Sequence, residues 1–158
     1  MNLSRSNNKN HKNENTTTIR HFNSKEIAIH HPSTWYEFDN KSKNPNEIIA
    51  MKTNKGKRGT FSLSIANAGG KSIEWWKDFM KKFLFDNGAT VSYSKIDDFN
   101  GVANFEFLSE LQKSGISSKQ KHFGFINDDF FYYSFFTSLD LDSLEEDIDF
   151  ILNSSNFF

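Results

Sequence analysis

The stretch His122–Phe136, HFGFINDDFFYYSFF, decides how this sequence folds. Two aromatic-rich runs flank Asn127-Asp128-Asp129, three polar residues that read as a tight hairpin turn. In a strand, the second run places Phe130, Tyr132 and Phe136 on one face and Phe131, Tyr133 and Phe135 on the other. A strand with one wet face alternates apolar with polar residues, and this one is aromatic on both. It therefore belongs inside a sheet covered on both faces.

Working outward, the rest of the chain supplies the strands and the cover. Upstream, VANFEFLSEL (Val102–Leu111) and ATVSYSKI (Ala89–Ile96) read as strands joined by a turn at Asp97-Asp98 and Asn100-Gly101. KSGISSKQ (Lys113–Gln120) reads as a flexible loop. Before these, Ser72 suits an N-cap with Glu74 in the first turn, and Gly88 suits the residue past the C-cap. The helix between them carries Ile73, Trp76, Phe79, Met80, Phe83 and Leu84 on one broad face, with Trp75 at its border and Phe85 outside it. IIAMKT (Ile48–Thr53) and TFSLSIA (Thr60–Ala66) form a hairpin through residues 54–56. In the second strand Phe61, Leu63 and Ile65 alternate with Ser62 and Ser64, so one face is buried and the other small and polar.

KEIAIHHP reads as a strand ending at Pro32, with Trp35, Tyr36 and Phe38 sealing one end of the core; 40–46 is a loop. After the aromatic hairpin, Asp140 or Ser138 caps a last helix with a stripe of Leu141, Leu144, Ile148 and Ile151. Phe150 points away from that stripe, and the early turns carry Asp142, Glu145 and Glu146. Two amphipathic helices and a strand needing two covers predict an α+β fold, an antiparallel β-sheet flanked by helices on both faces. Residues 1–18 hold six Asn and almost nothing apolar, so they read as a disordered tail before a single domain over 19–158.

Composition narrows the function classes. Without Cys there is no disulfide, thiolate metal site or Cys nucleophile. All 19 Lys and Arg lie within residues 1–121, whereas 122–158 holds eight acids and no base, so the two parts carry about +7 and −8. A folded domain interleaves them, and the near-neutral total does not favour nucleic acid. No apolar run is long enough to span a membrane. The opening residues lack the apolar core of a signal peptide, which reads as cytoplasmic if the start is native and extracytoplasmic if a leader has been removed.

Catalytic and metal patterns are sparse. His30 and His31 are adjacent and point to opposite faces of a strand, and His21 and His122 have no carboxylate at ligand spacing, so all read as surface or strand-end histidines. Serine is abundant but sits in no G-x-S-x-G elbow, and no His accompanies it recognisably. Gly69-Gly70-Lys71-Ser72 lacks the spacing of a phosphate loop and reads as a flexible helix entry. The pairs Asp97-Asp98 and Asp128-Asp129 read as turn residues rather than a calcium ladder. No cofactor or metal is implied.

The order IAIHHPSTW, KSIEWW, IDDFNGVANFEF, the aromatic hairpin and a terminal ILNSS resembles the PsbP-like/DcrB-like superfamily over Ile19–Phe158. The resemblance implies an α/β/α sandwich around an antiparallel sheet. It also implies a non-enzymatic role, since relatives are accessory subunits of photosynthetic complexes, bacterial lipoproteins and chaperones of secreted toxins. The chain departs from the lipoproteins in lacking a lipobox Cys and from the photosynthetic members in lacking a transit peptide. The expectation is a protein-binding accessory protein of chaperone, immunity or complex-accessory type. Its partner, another protein, would meet Trp75, Phe85 and Phe150 with the acids Asp142, Glu146 and Asp149. The alternative is a carrier of a small apolar ligand in a pocket between sheet and helix.

Overall fold

The computed structural model describes residues 14–40, 44–53, 58–99 and 101–155. The aromatic hairpin lies at its centre: β8 (Ile116–Asn127) and β9 (Phe130–Ser138) pair antiparallel from Lys119–Ser138 to Asn127–Phe130. Asp128 and Asp129 both take positive φ, 49° and 64°, the left-handed pair of a two-residue type I′ turn whose twist matches the strands. β9 is the middle strand of seven, because β5 (Gly59–Asn67) pairs along its other edge. The remaining strands are β3 (Trp35–Glu37), β4 (Glu47–Thr53), β6 (Thr90–Phe99) and β7 (Val102–Lys113). The order is β3-β4-β5-β9-β8-β7-β6, antiparallel throughout.

One connection produces that order. Helix α1 (Ile73–Asp86) carries the chain from β5 to the far edge, and the meander β6 to β9 returns until β9 closes on β5. The Ser72 side chain accepts the Trp75 amide at 3.1 Å at the start of α1, and Gly88 at φ 90° ends it. α1 packs over β6, β7 and β8.

β9 divides its side chains between two cores. Phe131 and Tyr133 join Phe105, Phe107, Ala68 and Ile73, with Trp76, Met80 and Leu84 of α1 against them. Tyr132 and Phe136 join Trp35, Met51, Phe61, Leu63 and the buried Leu144, Ile148 and Ile151. The latter two belong to α2 (Glu145–Ser154), which follows a 3₁₀ turn at Asp142–Leu144. α2 packs on a separate two-stranded sheet of β1 (Asn15–Phe22) and β2 (Lys25–Pro32), whose Ile27 and Ile29 complete this core.

Several expectations change. The first strand starts at Asn15, inside the tail expected over 1–18, because Asn15, Thr16, Thr17 and Thr18 pair with Pro32, His31, His30 and Ile29 of β2 in a hairpin turning at Asn23-Ser24; residues 1–13 lie outside the described residues. Lys113–Gln120 is not a loop. Ser114-Gly115, at φ 54° and 77°, makes a tight turn between two long strands, and the polar residues after it stay in register with β7. Asp97 and Asp98 lie in β6, the turn following at Gly101, whose amide reaches the Asp98 carboxylate. Tyr36 is exposed while Trp35 is buried, since the strand alternates. No side chain caps α2; Ser138 instead donates to the Arg58 carbonyl. The expected turn at 54–56 lies outside the described residues.

Candidate functional site

The site begins with small residues. Cross-strand pairing sets Ser62, Ser64 and Ala66 of β5 opposite Phe135, Tyr133 and Phe131 of β9, on the face that receives α1. α1 lies mainly over β6 to β8, and the small β5 side chains leave the space above them unfilled. The result is a groove of about 660 Å³. Phe79, Met80 and Phe83 of α1 form one wall, Tyr133 and Phe135 the floor, and Asn40 with Glu47 the far rim.

This geometry corrects the reading of α1. Phe79 and Phe83, expected in the core with Trp76, are 46% and 53% exposed. Of the apolar residues on that face, Ile73, Trp76, Met80 and Leu84 join the core, so the apolar face is wider than the surface beneath it. Trp75 stacks on Phe79 with ring centroids 5.1 Å apart, extending an aromatic row along the outer lip.

Beneath the groove, three strands contribute a polar row. His122 bonds Tyr133 through Nδ1 and Ser109 through Nε2, the latter at 2.8 Å. Both hydroxyls can donate or accept, so a neutral ring is satisfied in either tautomer. Burial pushes His122 down to about 3 and pushes the Tyr133 phenol up. His122 is thus no surface or strand-end histidine, and it does accompany a serine. The chain nevertheless buries Ser109, and a ring so reluctant to accept a proton is a weak base at neutral pH. The row supports the groove floor rather than presenting a nucleophile.

At the rim, Glu47 is held by neutral donors. Asn40 Nδ2 donates to both carboxylate oxygens, at 3.2 and 3.1 Å, and Ser62 Oγ donates at 2.9 Å. Asn44 Nδ2 donates to Ser64 Oγ at 3.1 Å. Among the described residues no group of three His, Asp or Glu is placed to hold a metal ion.

The six residues singled out in the sequence separate into two groups. Trp75 and Phe85 lie on α1 and are 40% and 73% exposed. Phe150, partly exposed, lies on α2 with exposed Glu146 and Asp149, and exposed Asp142 sits in the turn before it. The helices join different cores, so the six do not form one cluster. Sequence reading missed Glu47, Phe79, Phe83 and His122 as site residues. Its one available signal was the small polar face of β5.

The chain has the PsbP-like fold. It is similar to the cyanobacterial PsbP (CyanoP) of Synechocystis sp. PCC 6803, with TM-score 0.67 and 12% identity over 90% of this chain and 92% of that one. LpqN of Mycobacterium tuberculosis, involved in cell envelope biogenesis, has TM-score 0.64 and 15% identity over 91% of each chain. PA94 of Pseudomonas aeruginosa, described as a putative regulator, has TM-score 0.50 and 11% identity over 82% of this chain and 89% of that one. No protein-family model and no curated protein sequence matches the chain. Among the described residues no helix is long and apolar enough to cross a membrane.

Proposed function

We propose that the protein is a non-catalytic accessory protein that binds a small, largely apolar molecule in the groove beside α1. The groove itself carries this reading. Its volume of about 660 Å³ suits a small organic ligand, whose sites span roughly 300–1,000 Å³. Aromatic walls and a few convergent polar groups are the usual composition of such sites. None of the three similar structures bears an enzyme's name, which supports the non-catalytic part. The architecture is read with it as an α/β/α sandwich, supported by alternate residues of β9 entering the α1 and α2 cores.

The test uses N-phenyl-1-naphthylamine, an uncharged dye that brightens in apolar sites, with a variant that fills the groove, Ala66→Phe. The wild-type chain binds the dye, and the variant loses at least tenfold in affinity while keeping its melting temperature. Equal binding by both proteins, or none by either, overturns the reading. Native mass spectrometry of freshly purified protein adds a second measurement, a co-purifying small mass supporting it.

The exposure of Phe85 and Trp75 favours a second reading, docking of a protein partner on the outer side of α1. A partner recovered from the native host and lost on Trp75→Ala and Phe85→Ala supports it; retention by both variants removes that surface from consideration. Phe150, Asp142, Glu146 and Asp149 then form a separate candidate around α2, tested by Phe150→Ala.

A further inference from the structure

We infer that the groove selects an organic ammonium: a molecule with an aromatic or alicyclic body and a protonated amine that meets Glu47. This rests on the groove being the ligand site and adds the chemistry of its ligand.

The charge pattern carries the inference. Glu47 is the only charged side chain among the described residues lining the groove, and no Lys or Arg accompanies it there. Its hydrogen bonds come from Asn40 and Ser62, which fix the carboxylate without neutralising it. No ion pair engages it among the described residues. A carboxylate has about four acceptor positions, so two neutral neighbours leave room for a further donor. The groove's histidine adds no positive charge, since burial holds His122 neutral.

The second cavity shows the contrast. On the opposite side of β8, a space of about 340 Å³ is also lined by acids. There Lys95 reaches Asp97 and Glu106, and Lys121 reaches Glu106 from 3.3 Å. Asp97 and Glu106 are answered by cations, whereas among the described residues Glu47 is not.

The walls favour the same ligand. Phe79, Phe83, Tyr133 and Phe135 line the groove, and aromatic faces attract cations through their quadrupoles. An anionic ligand such as a fatty acid would bring its carboxylate towards Glu47 with no base among the described lining residues to receive it. An uncharged ligand would gain from the walls alone.

Three compounds of one shape separate these cases: 2-phenylethylammonium, 2-phenylethanol and phenylacetate, each titrated by calorimetry at pH 7 into the wild-type chain, Glu47→Gln and Ala66→Phe. The ammonium is expected to bind about tenfold more tightly than the alcohol, the size of one charge-assisted hydrogen bond, with phenylacetate weakest. Glu47→Gln should bring the ammonium to the level of the alcohol and leave the alcohol within about twofold. Alcohol or phenylacetate binding as tightly as the ammonium, with all binding lost in Ala66→Phe, overturns the ammonium inference and leaves the groove as a ligand site. Failure of all three to bind, or binding that survives Ala66→Phe, overturns both. Should Glu47→Gln misfold, the wild-type ranking of the three compounds decides by itself.

Discussion

Gly124 offers the sharpest test of the packing beneath α1. It sits in β8 opposite Phe105, and a Cβ built there would stand 2.4 Å from two atoms of the Phe105 ring and 3.0 Å from Phe131. Both rings are buried, so neither can swing into solvent. Overpacking of this kind costs about 1–3 kcal/mol. Replacing glycine by alanine also restrains the unfolded chain, which returns about 0.4–1 kcal/mol where the backbone is ordinary, as in this strand. Gly124→Ala should therefore destabilise the fold by about 1.3 kcal/mol at the centre of these ranges and at most about 2.6 kcal/mol, the central value being a fall in melting temperature of roughly 3–5 °C for a chain of this size. Urea denaturation followed by tryptophan fluorescence reads it, because Trp76 stacks on Phe131 at 4.2 Å. In a Phe105→Leu background the ring is gone, and the added methyl should cost less than about 0.5 kcal/mol, the difference being the coupling between the sites. A neutral Gly124→Ala, or an equal cost in both backgrounds, would refute the reasoning.

Three other consequences can be checked with the same equipment. His122 titrates near 3 when folded against 6.5 when free, so the unfolded chain takes up the proton between those values. Stability should be full above pH 6.5 and fall by up to about 1.4 kcal/mol per unit as the pH drops towards 3. His31, also lowered by burial, adds to that slope, and His122→Gln should flatten it; denaturation at pH 7, 5.5 and 4 makes the comparison, and an unchanged slope would point to other groups. Asp129, at φ 64° in the type I′ turn, should accept glycine with a gain of about 0.5–1 kcal/mol, and a loss on Asp129→Gly would mean that the turn is held by its side chain. Trp35 Nε1 donates to the buried Asp147 carboxylate at 2.8 Å, tying β3 to α2. Trp35→Phe should cost about 1.5–3 kcal/mol in urea, the range for a hydrogen bond to a charged group, and a loss below about 0.5 kcal/mol would show that this bond contributes little.

Much of the fold was legible where its causes are local. The limits of α1 follow from Ser72 and Gly88, and its observed span, Ile73–Asp86, lies between them. The aromatic alternation of 130–136 called for cover on both faces, and β9 is the central strand with two cores. The strand pairing at 113–120 was hidden because Ser, Lys and Gln carry no apolar period, and the outer end of a long hairpin needs none. The start at Asn15 was hidden likewise: Thr16, Thr17 and Thr18 are ordered by pairing with His31, His30 and Ile29, a contact that composition does not encode.

For the candidate site the balance is reversed. Alternation in β5 showed a small polar face, but Ser62 and Ser64 gain meaning only once α1 comes to rest mainly over β6 to β8. Helical periodicity marks Phe79 and Phe83 as apolar and cannot say how wide a sheet lies beneath. His122 meets Ser109 and Tyr133 only through the register of three strands, and Glu47 meets Ser62 across another pair. The sequence alone determined the limits of α1, the Asp128-Asp129 turn and the aromatic alternation of β9, because these depend on residues a few positions apart. The tertiary structure decided where α1 comes to rest on the sheet. That placement creates the groove, exposes Phe79 and Phe83 and, among the described residues, leaves Glu47 without a cation, since each depends on distances between segments that no local pattern specifies.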